Sequence, residues 1–290
     1  FIFKGSRVRM RTTWPLRKSL FKRCEPTKPV APKIRTLSFI LFFVTVFTMN
    51  YNPFGLFPKV LFDIVSNLPT IALKTVPWTD FLLSTKKVIS HLGKEINPIY
   101  LEKLNEVLPE GLSLEHQKYT KKIERGELLL KLYFRQWEME APVFIDLRSS
   151  HFSQSISEAL LFSPSGLIYD FKKDFRKNIM LLYKGFYLNN TVQVDEALKG
   201  LGLTNTLDDK NREELKQLFY NNFGKNTQDV NFNVAQFNQS FAQIFEFFLK
   251  HKIELDTDFI FMGVYLISLY MHLESLGKSY NVEKLFLEIQ

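Results

Sequence analysis

The spacing of large apolar residues is the strongest constraint on this fold, because they recur every three or four positions along the second half of the chain. The clearest case is the stripe Val234, Phe237, Phe241, Ile244, Phe245 and Phe248, which predicts a helix over 234–251. Similar spacing predicts further helices over 172–188, 191–200, 208–223 and 282–289.

Residues 259–271 carry no charge and are apolar on every face. A helix of this kind buries all its faces, and this one is short for a membrane span. The pattern therefore predicts a central buried helix from Thr257, as its capping residue, to about Ser275.

The first half of the chain is less regular. Residues 54–76 have helical spacing that fits either an amphipathic helix on a membrane surface or a helix packed on the core. Residues 79–108 predict two helices that separate at Asn97–Pro98, since proline suits a first helical turn. Residues 114–139 predict one long charged helix, weakened by Gly126. Residues 143–147 predict a strand.

Composition agrees with a mainly α fold. The 290 residues include 29 Phe but only 12 Gly and 12 Pro, so large apolar side chains greatly outnumber the residues that break helices. The chain has one cysteine, which excludes a disulfide framework, and a cysteine zinc site needs more than one thiolate.

Positive charge is concentrated at the N-terminus. Residues 1–35 hold eleven Lys or Arg and one acidic residue, whereas the remainder holds 27 basic and 29 acidic residues. The body is therefore near neutral, which argues against a nucleic-acid-binding face. The basic arm could contact anionic lipid, RNA or an acidic partner.

The N-terminal segments also bear on location. Residues 1–23 are rich in Arg, Ser and Thr without any acid, which is typical of mitochondrial targeting, although a basic extension on the surface of an assembly has the same composition. Residues 36–58 carry no charge and follow Lys33 and Arg35, which predicts one membrane helix. The apolar centre of this window is shorter than the roughly 20 residues of a usual span, so a buried or interfacial helix docked on a partner is the alternative.

Motifs for catalysis and metal binding are missing from the sequence. There is no GxGxxG or GxxxxGK[ST] phosphate loop and no HExxH, and no two of the five histidines are four residues apart. One hydrolase-like cluster can be drawn, but no GxSxG elbow supports it, so we interpret its members as solvated or capping residues. They are Asp146, Ser149, Ser150, His151 and Ser153.

One set of segments resembles a known family. Gly166–Phe171, followed by Lys172–Arg176, resembles the metal-binding DFG region of a kinase fold. The helices that follow resemble those of the UbiB/AarF family, atypical kinase-like proteins that serve ubiquinone synthesis. Three more segments match in order: Ile96–Leu104 is similar to the stretch after the family's K-x-G-Q signature, Phe245–Ile253 to its penultimate helix, and Glu274–Lys278 to its closing E-G-x-G-R/K element.

Departures from the family pattern are as informative as the matches. Ser84–Lys87 stands where the resemblance places K-x-G-Q, and Lys172 replaces the DFG glycine. We find no V-A-I-K-like lysine and no HxDxxxxN-like loop, both of which phosphoryl transfer on a kinase fold requires. The resemblance therefore implies the helical C-terminal lobe of an atypical kinase fold without its catalytic parts, and Asp170 is a remnant.

The sequence thus predicts a mainly α protein with a basic arm (1–35), a membrane helix (36–58), a helical region with the K-x-G-Q-like remnant (59–165) and a kinase-like helical bundle (166–290). No catalytic residue, cofactor or metal is predicted. The predicted function is a non-catalytic accessory subunit of a respiratory-chain complex or ATP synthase in the mitochondrial inner membrane. Its predicted partners are other subunits and membrane lipids. The alternatives are a divergent UbiB-like ATPase or a lipid- or quinone-binding factor in ubiquinone biosynthesis, and a mitochondrial ribosomal protein.

Overall fold

The computed structural model describes residues 59–75, 77–119, 124–154, 158–222 and 229–290. The predicted basic arm and membrane helix lie outside these residues. The described part is mostly helical, with 59% of its residues in helices and 8% in strands. In chain order the helices are α1 (Lys59–Val65), α2 (Ala72–Thr75), α3 (Trp78–Ile89), α4 (Pro98–Val107), α5 (Arg125–Gln136), α6 (Lys173–Tyr187), α7 (Thr191–Gly200), α8 (Asp209–Asn222), α9 (Val234–Lys250), α10 (Thr257–Leu276) and α11 (Val282–Leu287).

Short strands lie between the helices along the chain. They are β1 (Leu112–Ser113), β2 (Val143–Phe144), β3 (Phe152–Ser153), β4 (Leu160–Phe162), β5 (Ile168–Tyr169), β6 (Val230–Asn231) and β7 (Ser279–Tyr280). In the first sheet β4 lies between β1, which runs parallel to it, and β3, which runs antiparallel. β2 pairs with β5 and β6 with β7, both antiparallel. The predicted strand at 143–147 is confirmed over its first two residues.

Helix α10 lies at the centre, as the sequence predicts. Phe261, Val264, Tyr265, Ile267 and Leu273 are completely buried, and α10 packs against α1, α3, α5 and α9. Among the described residues α10 is the one helix long and apolar enough to cross a membrane, but 72% of its apolar window is buried inside the protein. Its apolar surface is therefore used by the core.

Helix α1 belongs to the core and does not lie apart as a surface helix. Leu61 and Ile64 are fully buried, Val65 is 1% exposed, and the helix packs on α10. Of the two interpretations of residues 54–76, the described residues support packing on the core.

The other predicted helices begin and end within a few residues of the helices in the structure. Helix α4 begins at Pro98, and the side chain of Asn97 accepts a 3.0 Å hydrogen bond from the backbone N–H of Ile99. The N-caps Asn190, Asn233 and Asn281 act in the same way for α7, α9 and α11. Asparagine at these positions supplies an acceptor for N–H groups that have no partner within the helix.

The long charged helix predicted over 114–139 is wrong at its start. Helix α5 begins at Arg125, where Glu124 accepts a 2.8 Å hydrogen bond from Gly126 N. The described residues before it, up to Tyr119, are not helical, because β1 pairs with β4 and Lys118 forms a bridge with Glu158.

Gly126 therefore lies in the first turn of α5 and not within a long helix. It is needed there because the ring of Tyr280 packs against it, and a Cβ atom at this position would lie 2.1 Å from Tyr280 Cζ. A second correction concerns α10, whose capping residue is Asp256 and not Thr257. Asp256 accepts a 3.2 Å hydrogen bond from the backbone of Asp258.

The predicted regions 59–165 and 166–290 are packed on one another. β2 of the first pairs with β5 of the second, and α5 packs on both α10 and α11. All the residues that the structure describes belong to one compact unit. The β6–β7 pair within the predicted helical bundle was not predicted, since strands of two residues leave no periodicity in a sequence.

Candidate functional site

The DFG-like segment joins β5 to α6. Tyr169 ends β5, Asp170 is exposed, and Lys172 precedes the first turn of α6. Phe171 is buried, with its ring centroid 4.7 Å from that of Trp137. The aromatic side chains on either side of Asp170 thus fix the segment to the core while its carboxylate faces solvent.

A polar network connects this segment to the start of α10. Tyr169 donates a 2.6 Å hydrogen bond to Asp258 Oδ1, and the backbone N–H of Lys172 donates one of 3.2 Å to Oδ2. Lys172 Nζ pairs with Asp256. Burial raises the pKa of Asp258 and that of Tyr169. The network therefore uses both oxygens of the most buried carboxylate in this region.

A groove of about 380 Å³ lies beside this network. One wall is α3 and the turn after it, with Ser84, Lys87 and His91, and the other carries Asp170 and Lys172. Ser84–Lys87, which stands where the resemblance places K-x-G-Q, and the DFG-like segment therefore meet in one groove. Lys87 and Asp170 are both exposed, and neither side chain forms a hydrogen bond or salt bridge with any residue the structure describes.

A second and larger groove of about 880 Å³ adjoins the first and shares Ser84, Tyr169 and Lys172 with it. Its far wall is the end of α9 and the turn into α10, which supply apolar side chains and charges of both signs. The apolar members are Phe248, Leu249, Ile253 and Leu255, and the charged residues along the groove, other than Lys172, are Lys74, Asp80, Lys252, Glu254 and Asp256. We call the two together the α3 groove.

No group of three or more His, Cys, Asp or Glu side chains in the described ranges could hold a metal ion. In the α3 groove, Asp258 already accepts two hydrogen bonds and Asp256 pairs with Lys172. A cation there would have to compete with these internal partners.

The hydrolase-like cluster drawn from the sequence is an ion cluster around Asp146. Arg148 donates two 2.8 Å side-chain hydrogen bonds, one to each oxygen of Asp146, and His151 Nε2 lies 3.0 Å from Oδ2. Burial alone would raise the pKa of Asp146, but the bonds from Arg148 and His151 outweigh it and hold this pKa well below its usual range.

The serines of that cluster lie apart from it. Ser149, Ser150 and Ser153 are exposed. No serine hydroxyl hydrogen-bonds to His151 within the described chain. Nucleophilic catalysis needs the hydroxyl within reach of the base, so this arrangement gives His151 a bond to Asp146 and no nucleophile.

Two polar residues on α10 form hydrogen bonds with the backbone of Leu147, in the segment after β2, and neither was predicted from the sequence. Ser268 accepts a 3.1 Å hydrogen bond from Leu147 N, and His272 Nδ1 lies 2.8 Å from Leu147 O. Because a carbonyl oxygen only accepts, Nδ1 carries the proton. Burial lowers the pKa of His272 to about 4. Polar residues four apart on an otherwise apolar helix were the available signal.

Arg176 on α6 is a buried cation that the sequence analysis also missed. Its guanidinium donates hydrogen bonds to backbone carbonyls at and after the end of α5, those of Gln136, Trp137, Met139 and Ala141. These carbonyls have no partner within the helix, so Arg176 supplies their hydrogen-bond donors. Its positive charge also lies at the negative end of the helix dipole, where a cation is stabilised. Burial lowers the pKa of Arg176.

An apolar pocket lies among α5, α6, α9 and α10, lined by aromatic residues that include Tyr133, Tyr183, Tyr187 and Tyr270. Its volume is about 50 Å³. A cavity that binds benzene measures roughly 150 Å³. The pocket is therefore too small for a quinone ring unless side chains move.

Comparison of the chain with protein-family models, with curated proteins and with solved structures found no match in any of the three.

Proposed function

We propose that this chain is a non-catalytic accessory subunit of a large energy-transducing assembly in the mitochondrial inner membrane, such as a respiratory-chain complex or the ATP synthase. We further propose that it derives from a UbiB-like fold whose catalytic parts were lost. The observation that carries the proposal is the polar network at the DFG-like segment. Asp258 is bonded to Tyr169 and to the Lys172 backbone, and Lys172 to Asp256. Around the DFG-like segment, the polar side chains other than Asp170 are therefore bonded to one another, and Asp170 is left as the one carboxylate that matches the kinase pattern.

Location rests on the sequence. The acid-free basic segment 1–23 is typical of mitochondrial import, and the uncharged window 36–58 fits one membrane helix. A subunit anchored in this way contributes apolar and charged surfaces and needs no reaction centre of its own.

Extraction and nucleotide binding test the proposal. We expect the protein to leave mitochondrial membranes only in detergent, and to co-migrate with one large complex on a native gel. Release by salt alone would favour the ribosomal alternative, since electrostatic binding to RNA weakens steeply with salt. We expect 5 mM Mg-ATP to leave the melting temperature of the purified protein unchanged, because a ligand that binds only the folded state raises it.

The divergent ATPase is a second candidate because Lys87 and Asp170 line one groove and are both unpaired. A lysine and an aspartate in one cleft are the two groups that a kinase-like site uses on phosphate and metal. If Mg-ATP raises the melting temperature of the wild type but not of D170N or K87Q, this candidate replaces the first.

A further inference from the structure

We propose that the α3 groove binds an extended polypeptide segment of a partner subunit, one that carries charges of both signs around apolar anchors. This inference rests on the proposed function, because it names the surface through which such a subunit would be held. The occupant is another protein chain and neither a nucleotide nor a lipid headgroup.

Unpaired charges of both signs line the groove. Three lysines and three acidic residues are all exposed, and none of their side chains forms a hydrogen bond or salt bridge inside the described part of the chain. They are Lys74, Lys87, Lys252, Asp80, Asp170 and Glu254. On α3, Asp80 and Lys87 are separated by two helical turns.

Apolar side chains stand exposed beside these charges. Leu83, between Asp80 and Lys87 on α3, is 60% exposed, and Leu249 on the wall formed by α9 is 38% exposed. Residues three and four apart share a helix face, so Leu83 faces outward with both charges. Large apolar residues rimmed by polar ones mark interaction surfaces.

The number and sign of the charges decide between occupants. A free nucleotide is strongly anionic, whereas the unpaired charges of the groove sum to zero, so its acidic residues offset the attraction of its lysines. A zwitterionic lipid headgroup has one charge of each sign, whereas the groove presents three unpaired charges of each sign along two joined cavities of about 880 and 380 Å³. A polypeptide can place several charges of either sign at the required intervals.

Photo-crosslinking in intact membranes tests the occupant. A photoreactive benzoylphenylalanine replaces Leu249, which lines the groove and is 38% exposed, and a matched variant carries it at Val192, which is 64% exposed on α7 and outside the groove. We expect the probe at 249 to join one peptide segment of one other protein, and the probe at 192 not to join that segment. Crosslinks from position 249 only to lipid, to this chain's own residues or to a second copy would overturn the proposal.

Charge reversal supplies an independent readout. We expect K87E to lower co-migration with the complex at least fivefold, and reversal of the nearest acidic residue in the crosslinked segment to restore it. K210E is the control, because Lys210 is an exposed and unpaired lysine on α8 away from the groove. Equal behaviour of K87E and K210E would sink the groove proposal. If the wild type itself fails to co-migrate, it is the proposed function that fails.

Discussion

The hydroxyl of Tyr169 donates a 2.6 Å hydrogen bond to Oδ1 of Asp258, which lies 89 residues further along the chain. The backbone N–H of Lys172 occupies the other carboxylate oxygen at 3.2 Å. Together these bonds fasten the DFG-like segment to the first turn of the central helix α10. A carboxylate held in this way stabilises the fold and leaves Asp170 as the exposed acid of that segment.

Replacing Tyr169 with Phe removes this bond and leaves a buried carboxylate oxygen without its donor. We expect the free energy of unfolding to fall by about 1–3 kcal/mol, the usual cost of an unsatisfied buried acceptor. Urea denaturation measures it. Tyr100→Phe is the control, because Tyr100 lines the same groove and its hydroxyl has no hydrogen bond with the described residues. Equal losses in the two variants would contradict the role of the Tyr169–Asp258 bond.

Replacing Asp146 with Asn should remove part of the protein's acid sensitivity. The folded pKa of Asp146 is held below its unfolded value of about 3.9, so its stabilisation is present above that pH and is lost as pH falls through the folded pKa. We expect D146N to cost about 3 kcal/mol at pH 7, because Arg148 loses a buried partner. The difference in unfolding free energy between D146N and the wild type should become smaller as the pH is lowered toward 2.

The control for this change is Glu158→Gln. Glu158 pairs with His116 at the surface, where an ion pair contributes less than about 1 kcal/mol. A D146N variant whose deficit stays constant from pH 6 to pH 2.5, followed by urea unfolding, would show that Asp146 does not act through its charge.

His272 governs a different pH window. Burial lowers its folded pKa to about 4, from 6.5 in the unfolded chain. Between these values the unfolded chain binds more protons, so stability falls as pH drops from 6.5 to 4, by about 3 kcal/mol in total. We expect His272→Gln to flatten the unfolding free energy across this window. His116→Gln, at an exposed site, should keep the wild-type slope. An unchanged slope in His272→Gln would contradict the assignment.

Arg176 cannot be replaced by lysine without loss. Its planar guanidinium reaches four carbonyls that include those of Gln136 and Ala141, whereas an ammonium is a single point charge. We expect Arg176→Lys to lower the free energy of unfolding by about 2 kcal/mol. The matched control is Arg135→Lys, because Arg135 makes one 3.2 Å bond, to Leu108 O. A loss in Arg176→Lys no greater than that of the control would show that the carbonyl contacts contribute little.

The predicted helices matched the structure where local spacing decides the fold, and the one failure has a non-local cause. Apolar spacing in 172–188 and 234–251 matched α6 and α9 within a residue or so. The start of the interval 114–139 failed because the chain around it pairs with residues forty or more positions away, through β1 with β4 and Lys118 with Glu158. In 114–119 helix propensity was overridden by contacts that the local sequence does not encode.

The candidate site was predictable only in its parts. Asp170 and Ser84–Lys87 were singled out separately, on motif resemblance, and that they share one groove emerged from the packing of α3 beside β5. The partners of Asp258 and His272 had no sequence signal, since each bond joins residues more than 80 positions apart.

The amino-acid sequence by itself determined most of the helices and that residues 259–271 lie at the centre, because the periodicity of apolar residues and the absence of charge are properties of a segment alone. The tertiary structure alone decided which charges are neutralised and which remain free. Asp146, Asp258 and Asp170 are the same kind of residue, yet two are buried and bonded while the third faces an open groove. Burying a carboxylate is favourable only where packing brings donors to it, and those donors come from whichever elements the fold places alongside.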